Sequence, residues 1–193
     1  MNKIRIAVFA SGSGTNAENF FKFFKDSENI EIALLACNKK DAYVLNRANN
    51  HNIPTLVFGR KDFYESDKTI NELINKKIDY IVLAGFLWLI PKNLIEVFPD
   101  RIINIHPALL PKYGGKGMYG MKVHEAVKTS REKESGITIH LVNEKYDEGR
   151  TLFQQSISVT PEDTPEDIAN KVHNLEYEFF PSVTEEYILN RIY

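Results

Sequence analysis

The sequence predicts an α/β fold: a doubly wound, mostly parallel open sheet of about seven strands, with helices on both faces and antiparallel strands toward the C-terminus. Three observations predict it. Short apolar runs alternate with longer amphipathic segments over much of the chain. The first five runs are nearly continuous in apolar character, as in strands covered on both faces. In the last third the alternation breaks, and two strand-like runs are separated only by a tight turn.

In order, the first strand is Ile4–Ala10, followed by a glycine-rich turn and a helix near 16–26. The second strand is Ile30–Cys37, then a helix near 41–51, a short strand at 55–58 and a helix over 63–76. A strand at 80–86, a helix at 91–98 and the strand Ile102–His106 come next, with a helix near 121–131. Strands at 136–142 and 151–159 flank the turn Tyr146-Asp147-Glu148-Gly149 and are expected to pair antiparallel. For the last helix, Thr164 supplies an N-cap, Pro165 the first helical position, and Glu166 and Asp167 early acids for the dipole. Ile168, Val172, Leu175 and Phe179 follow at helical spacing, and Pro181 is expected to end or kink the helix. With no repeat, low-complexity tract or linker, one domain is expected over residues 1–193, with halves at about 1–100 and 101–193.

The 193 residues are 43% hydrophobic and 26% charged, with a formal charge of −2, which argues against a general nucleic-acid binder. One cysteine, Cys37, excludes an intramolecular disulfide, and its apolar setting reads as an inert buried thiol. The N-terminus runs straight into a strand, and the longest strongly apolar stretch, 80–90, is too short to span a bilayer. The expectation is a soluble cytoplasmic protein, monomer or homodimer, with neither membrane nor nucleic acid as partner.

The first turn reads Ser11-Gly12-Ser13-Gly14-Thr15-Asn16. Glycines let the backbone bend tightly, and the helix that follows offers backbone N–H groups to an anion. Gly12, Ser13, Gly14, Thr15 and Asn16 are therefore candidate phosphate ligands. A dinucleotide and a purely structural turn are the alternatives; the former lacks its acid, because the second strand ends in Asn38-Lys39-Lys40.

In Ile102-Ile103-Asn104-Ile105-His106-Pro107, alternation puts Asn104 and His106 on one face at a carboxyl-terminal strand end, where open α/β sheets bind ligands. Histidine exchanges protons near neutral pH, and an amide can hold a developing oxyanion. Thr138 and His140 form a second same-face pair, which makes His140 a candidate neighbour of the site, with ligand contact and a packing or supporting role as the alternatives. Asp147 lies in a turn, where a local capping role is the commoner one. His124 reads as a helix-surface residue. No metal ligands are spaced for a site.

Together Ala10-Ser11-Gly12-Ser13-Gly14-Thr15-Asn16, Val82-Leu83-Ala84-Gly85-Phe86, Asn104-Ile105-His106-Pro107-Ala108-Leu109-Leu110-Pro111 and Tyr146-Asp147-Glu148-Gly149 are similar, in order and over nearly the whole chain, to the phosphoribosylglycinamide formyltransferase family, a branch of the folate formyltransferase superfamily. The resemblance implies that Asn104, His106 and Asp147 are catalytic, that the glycine-rich loop holds a phosphate, and that Glu176 contacts the acceptor's ribose. It implies formyl transfer from 10-formyltetrahydrofolate, as co-substrate, to the amine of N1-(5-phosphoribosyl)glycinamide in purine biosynthesis. A protonated His106, its pKa raised by Asp147, would help to hold the oxyanion. The folate pocket implied comprises Leu87, Trp88, Leu89, Ile90, Asn104 and the loop Asn143, Glu144, Lys145, Tyr146, Asp147. Three features depart from the pattern: Trp88 stands where many members are basic, no basic residue near 60–66 aligns, and the loop 113–121 is long and glycine-rich, either a mobile lid or a plain surface loop. Initiator-tRNA formyltransferase and formyltetrahydrofolate hydrolase, with their extra domains, fit the chain length less well. A non-catalytic nucleotide-binding module would not require Asn104, His106 and Asp147 to converge.

Overall fold

The structure, a computed structural model, describes residues 3–191. Its strands are β1 (Ile4–Ala10), β2 (Ile30–Cys37), β3 (Thr55–Val57), β4 (Tyr80–Leu83), β5 (Ile102–His106), β6 (Glu134–Leu141) and β7 (Thr151–Ser158). Its helices are α1 (Thr15–Phe23), α2 (Val44–Asn50), α3 (Arg60–Tyr64), α4 (Lys68–Asn75), α5 (Lys92–Val97), α6 (Met121–Thr129) and α7 (Pro165–Leu189). The strands form one seven-stranded sheet ordered β3-β2-β1-β4-β5-β6-β7. By internal contacts the chain divides into two compact units, one ending at Ile103 and the other beginning at Asn104.

In the first unit, β1 pairs in parallel with β2 on one side and β4 on the other, and β2 carries β3. The order therefore reverses at β1, and the carboxyl ends of β1 and β4 flank a switch point, the usual ligand crevice of such sheets. Ile6 to Ala10 and Leu34 to Cys37 are fully buried, which is why these runs read as continuously apolar rather than alternating. β4 stops at Leu83, earlier than the run suggested, because Gly85 takes a positive φ of 73° and turns the chain. Its carbonyl accepts from the Ser11 N–H (3.1 Å), while the Ser11 hydroxyl accepts from the Leu87 N–H (3.1 Å).

The helix expected over 63–76 is two helices, α3 and α4. Ser66 lies at the break, where its hydroxyl donates to the Asp62 carbonyl (3.4 Å) and accepts from the Lys68 N–H (3.4 Å). Such side-chain bonds give the backbone an alternative to the helical ladder.

In the second unit β6 and β7 pair antiparallel, with Ile137, Ile139 and Leu141 buried. The start of α7 is a capping box: the Thr164 hydroxyl accepts from the Asp167 N–H (3.1 Å) and the Asp167 carboxylate from the Thr164 N–H (2.9 Å). Of the end or kink expected at Pro181, the end does not occur: α7 runs on to Leu189. Phe180, Pro181 and Thr184 are buried there, and Ser182 donates to the carbonyls of Glu178 and Phe179 (both 3.1 Å). Burial of that face outweighs the ~3 kcal/mol that an interior proline costs.

Candidate active site

Each unit carries one group of chemistry-bearing residues. In the first, β1 runs into the glycine-rich loop, and Gly14 caps α1 with φ 77° and no side-chain bond. A Cβ at Gly14 would lie 2.2 Å from Val44 Cγ2, so both conformation and space demand glycine. Gly12 faces open space: a methyl group there would meet nothing within 4 Å. The opening turn of α1, with Thr15 and Asn16, directs backbone N–H groups out of the helix, the geometry that receives an anion. Sequence reasoning missed Arg47: its Nε donates to the Ser13 carbonyl (2.9 Å) and Nη1 to Glu18 (2.6 Å), bracing the loop from α2.

Also in this unit, Ile90 is buried, Leu87 is 46% exposed, and the Leu89 carbonyl accepts from the Tyr64 hydroxyl (2.9 Å). Half-buried Trp88 packs at the edge of a cluster of Phe58, Phe63, Tyr64 and Phe86. Arg60, which the alignment of motifs left without a role, lies over the Trp88 and Tyr64 rings, 5.2 Å from each centroid.

The second unit brings Asn104, His106, His140 and Asp147 together. Asn104 Nδ2 lies 3.0 Å from His140 Nε2. His140 Nδ1 lies 2.9 Å from the Leu141 carbonyl, which can only accept, so Nδ1 holds a proton, and Nε2 faces both Asn104 and the Asp147 carboxylate. By the same reasoning, His106 Nε2 donates to the Tyr113 carbonyl (2.7 Å) and turns Nδ1 toward Asp147, 3.5 Å away.

Asp147 has φ 56°, a left-handed conformation that the turn imposes. Its carboxylate lies 3.6 Å from His140 Nε2 and accepts from the Gly115 N–H at 2.9 Å. Burial raises the pKa of this carboxyl, but His140, the charge of His106 and the Gly115 N–H together outweigh it and leave the pKa lowered. His106 is 4% exposed, and burial depresses its pKa against the upward pull of Asp147 and the Tyr113 carbonyl. The protonated His106 expected from the resemblance is thus not favoured: Asp147 acts in the expected direction, but burial is stronger.

Thr138 is fully buried, and its hydroxyl donates to the Ala108 carbonyl (2.6 Å) and accepts from the Leu110 N–H (3.0 Å). It fixes the loop after β5 and so supports the site from behind. In the loop 143–147, Asn143 accepts from the Lys145 N–H (3.0 Å) and donates to the Glu148 carbonyl (3.0 Å). Glu144, Lys145 and Tyr146 are exposed. Within 113–121, Tyr113 and Gly115 meet the cluster through backbone atoms.

Glu176, 4% exposed on α7, lies 2.8 Å from His173 Nδ1. His124 is not on the helix surface: it is 2% exposed, with its Nδ1 buried and unpartnered. Its position three residues before buried Val127 was the signal that could have found it. Among the described residues no group of His, Cys, Asp and Glu is arranged to hold a metal ion.

A family model described as Formyl transferase matches residues 4–184. The chain belongs to the formyl transferase family. Among its relatives, phosphoribosylglycinamide formyltransferase, chloroplastic, of Arabidopsis thaliana is 44% identical over 95% of this chain and 66% of that one. The chain therefore spans just under two thirds of the length of this plant relative. The phosphoribosylglycinamide formyltransferase of Bacillus subtilis is 35% identical over 94% of this chain and 93% of its own. A crystal structure of phosphoribosylglycinamide formyltransferase from Bacillus halodurans matches with a TM-score of 0.86 at 34% identity, over 95% of both chains. The formyl transferase resemblance and the fold class read from the sequence are both borne out.

Proposed function

We propose that this chain is a phosphoribosylglycinamide formyltransferase, moving a formyl group from 10-formyltetrahydrofolate to the amine of N1-(5-phosphoribosyl)glycinamide in purine biosynthesis. The observation that carries this reading is the convergence of Asn104, His106, His140 and Asp147 within hydrogen-bonding or ion-pair range in a formyl transferase chain. The glycine-rich loop is assigned the acceptor's phosphate. The apolar edge at Leu87 and Trp88, with Ile90 buried beside it, suits a flat folate ring, and the backbone of 143–147 offers the kind of hydrogen bonds that ring takes.

The folate supplies an activated formyl group, so no covalent enzyme intermediate is required. As the amine attacks the formyl carbon, charge gathers on the formyl oxygen, and an N–H of Asn104 stabilises it, an interaction worth ~3–4 kcal/mol. His106 begins neutral. Its Nδ1 accepts the proton released by the amine, Asp147 stabilises the imidazolium so formed, and the proton passes to the departing folate nitrogen. His140 holds Asn104 in register. Small-molecule partners and a cytoplasmic compartment suit the charge of −2 and the single buried thiol, although the Arabidopsis relative is chloroplastic.

The test is formyl transfer followed through folate absorbance. Acceptor-dependent turnover is expected, with His106→Ala lowering kcat at least about a hundredfold. Acceptor-independent loss of formyl would assign the hydrolase instead, and silence in folded wild type would favour a binding module.

A further inference from the structure

Three histidines in the second unit feel the charge of one buried carboxylate, Glu176: His106, His124 and His173. Of the three, His173 is hydrogen-bonded to it. The His173 ring has two ring neighbours, His124 edge-on at 67° and 6.5 Å and Tyr177 near-parallel at 14° and 6.2 Å. The His173 side chain is 46% exposed, and its Nδ1 is aimed at Glu176 Oε2, 2.8 Å away. A carboxylate this deeply buried needs donor partners, and a fixed donor on one oxygen sets the direction of the other.

An oriented acceptor-only oxygen recognises hydroxyl or ammonium donors. On the functional reading above, the acceptor offers both ribose hydroxyls and an amine. From this the geometry points to His173 as a positioning and specificity-determining residue: flanked by His124 and Tyr177 and hydrogen-bonded to Glu176, it orients that carboxylate to accept hydrogen bonds from the hydroxyls of the acceptor. The inference rests on the proposed reaction but adds a residue that acts through Glu176 and touches no reacting atom. It predicts that losing His173 loosens acceptor binding and spares the chemical step.

Steady-state kinetics with glycinamide ribonucleotide and 10-formyltetrahydrofolate test it in wild type, His173→Phe, His173→Gln and Tyr177→Leu. Phenylalanine keeps the stacked ring and removes the donor. It should raise the acceptor KM about tenfold, leaving kcat and the folate KM within about twofold, as loss of one hydrogen bond to a charged group predicts. Glutamine, which restores a neutral N–H, should bring the acceptor KM back to within about threefold of wild type. Tyr177→Leu, which removes one of the two ring neighbours, should raise that KM by a smaller factor, and it carries the test if His173→Phe does not fold. An acceptor KM that stays put in both His173→Phe and Tyr177→Leu overturns the proposal, as does a fall in kcat with KM held. Failure of wild type to use glycinamide ribonucleotide overturns the functional reading and the proposal with it; normal wild-type turnover with an unmoved KM overturns the proposal alone.

Discussion

At the scale of single residues, two glycines of one loop separate structure from binding. Gly14→Ala forces a side chain into a left-handed backbone and against Val44, and should cost about 2 kcal/mol or more in urea denaturation. Gly12→Ala meets no protein atom. It should leave stability within about 0.5 kcal/mol while raising the acceptor KM, if the open space beside Gly12 is where the phosphate lies. His106 gives a third test. A base works in its deprotonated form, and burial holds His106 below its ordinary 6.5. The acid limb of kcat/KM should therefore fall below pH 6.5, and a limb above that value would contradict the burial argument. The sequence made Asn104 and His106 legible because alternation along a strand is a geometric certainty. Asp147 became prominent only through the family resemblance, since its turn position has no face. The partners of His106 and Asp147 in the loop, the Tyr113 carbonyl and the Gly115 N–H, are backbone atoms and left no mark in the sequence at all.

At the scale of elements, the capping box of α7 is a local device with a local consequence. Thr164→Ala removes its hydroxyl from the Asp167 N–H and should lower stability by about 1 kcal/mol, read as a shift in the denaturant midpoint without change in slope. The same element marks where reading by pattern fails. Thr164, Pro165 and Asp167 announce the start of α7 unmistakably, but Pro181 announces an end that burial of Phe180 and Thr184 overrides. The break at Ser66 is the converse: no strong breaker stands there, and its hydroxyl makes two long hydrogen bonds to the flanking backbone. Strands were legible where burial on both faces made them continuously apolar. Helix ends depended on which carbonyl a side chain happened to reach.

At the scale of the molecule, two histidines tie stability to pH with opposing signs. Burial takes His124 from 6.5 to about 4, so between those values the unfolded chain binds a proton that the folded chain refuses. Its contribution is present above pH 6.5 and is lost as pH falls, up to about 3 kcal/mol. His173, raised by Glu176, works the other way, stabilising below its unfolded pKa and losing that effect as pH rises through the folded value. Thermal unfolding should thus weaken from pH 7 toward pH 4.5, and His124→Leu should flatten the dependence by removing the larger, opposing term. A steeper dependence in that variant would refute the assignment. A different consequence follows from Trp88. It is the only tryptophan of 193 residues, and it shares its edge with Arg60, Tyr64 and three phenylalanines. Nature has in effect labelled one loop of one unit with the molecule's sole indole fluorophore. Selective indole excitation reports that loop and nothing else, so a folate that settles on Leu87 and Trp88 would announce itself as quenching, while a phosphate at the glycine-rich turn would leave the signal dark to its arrival.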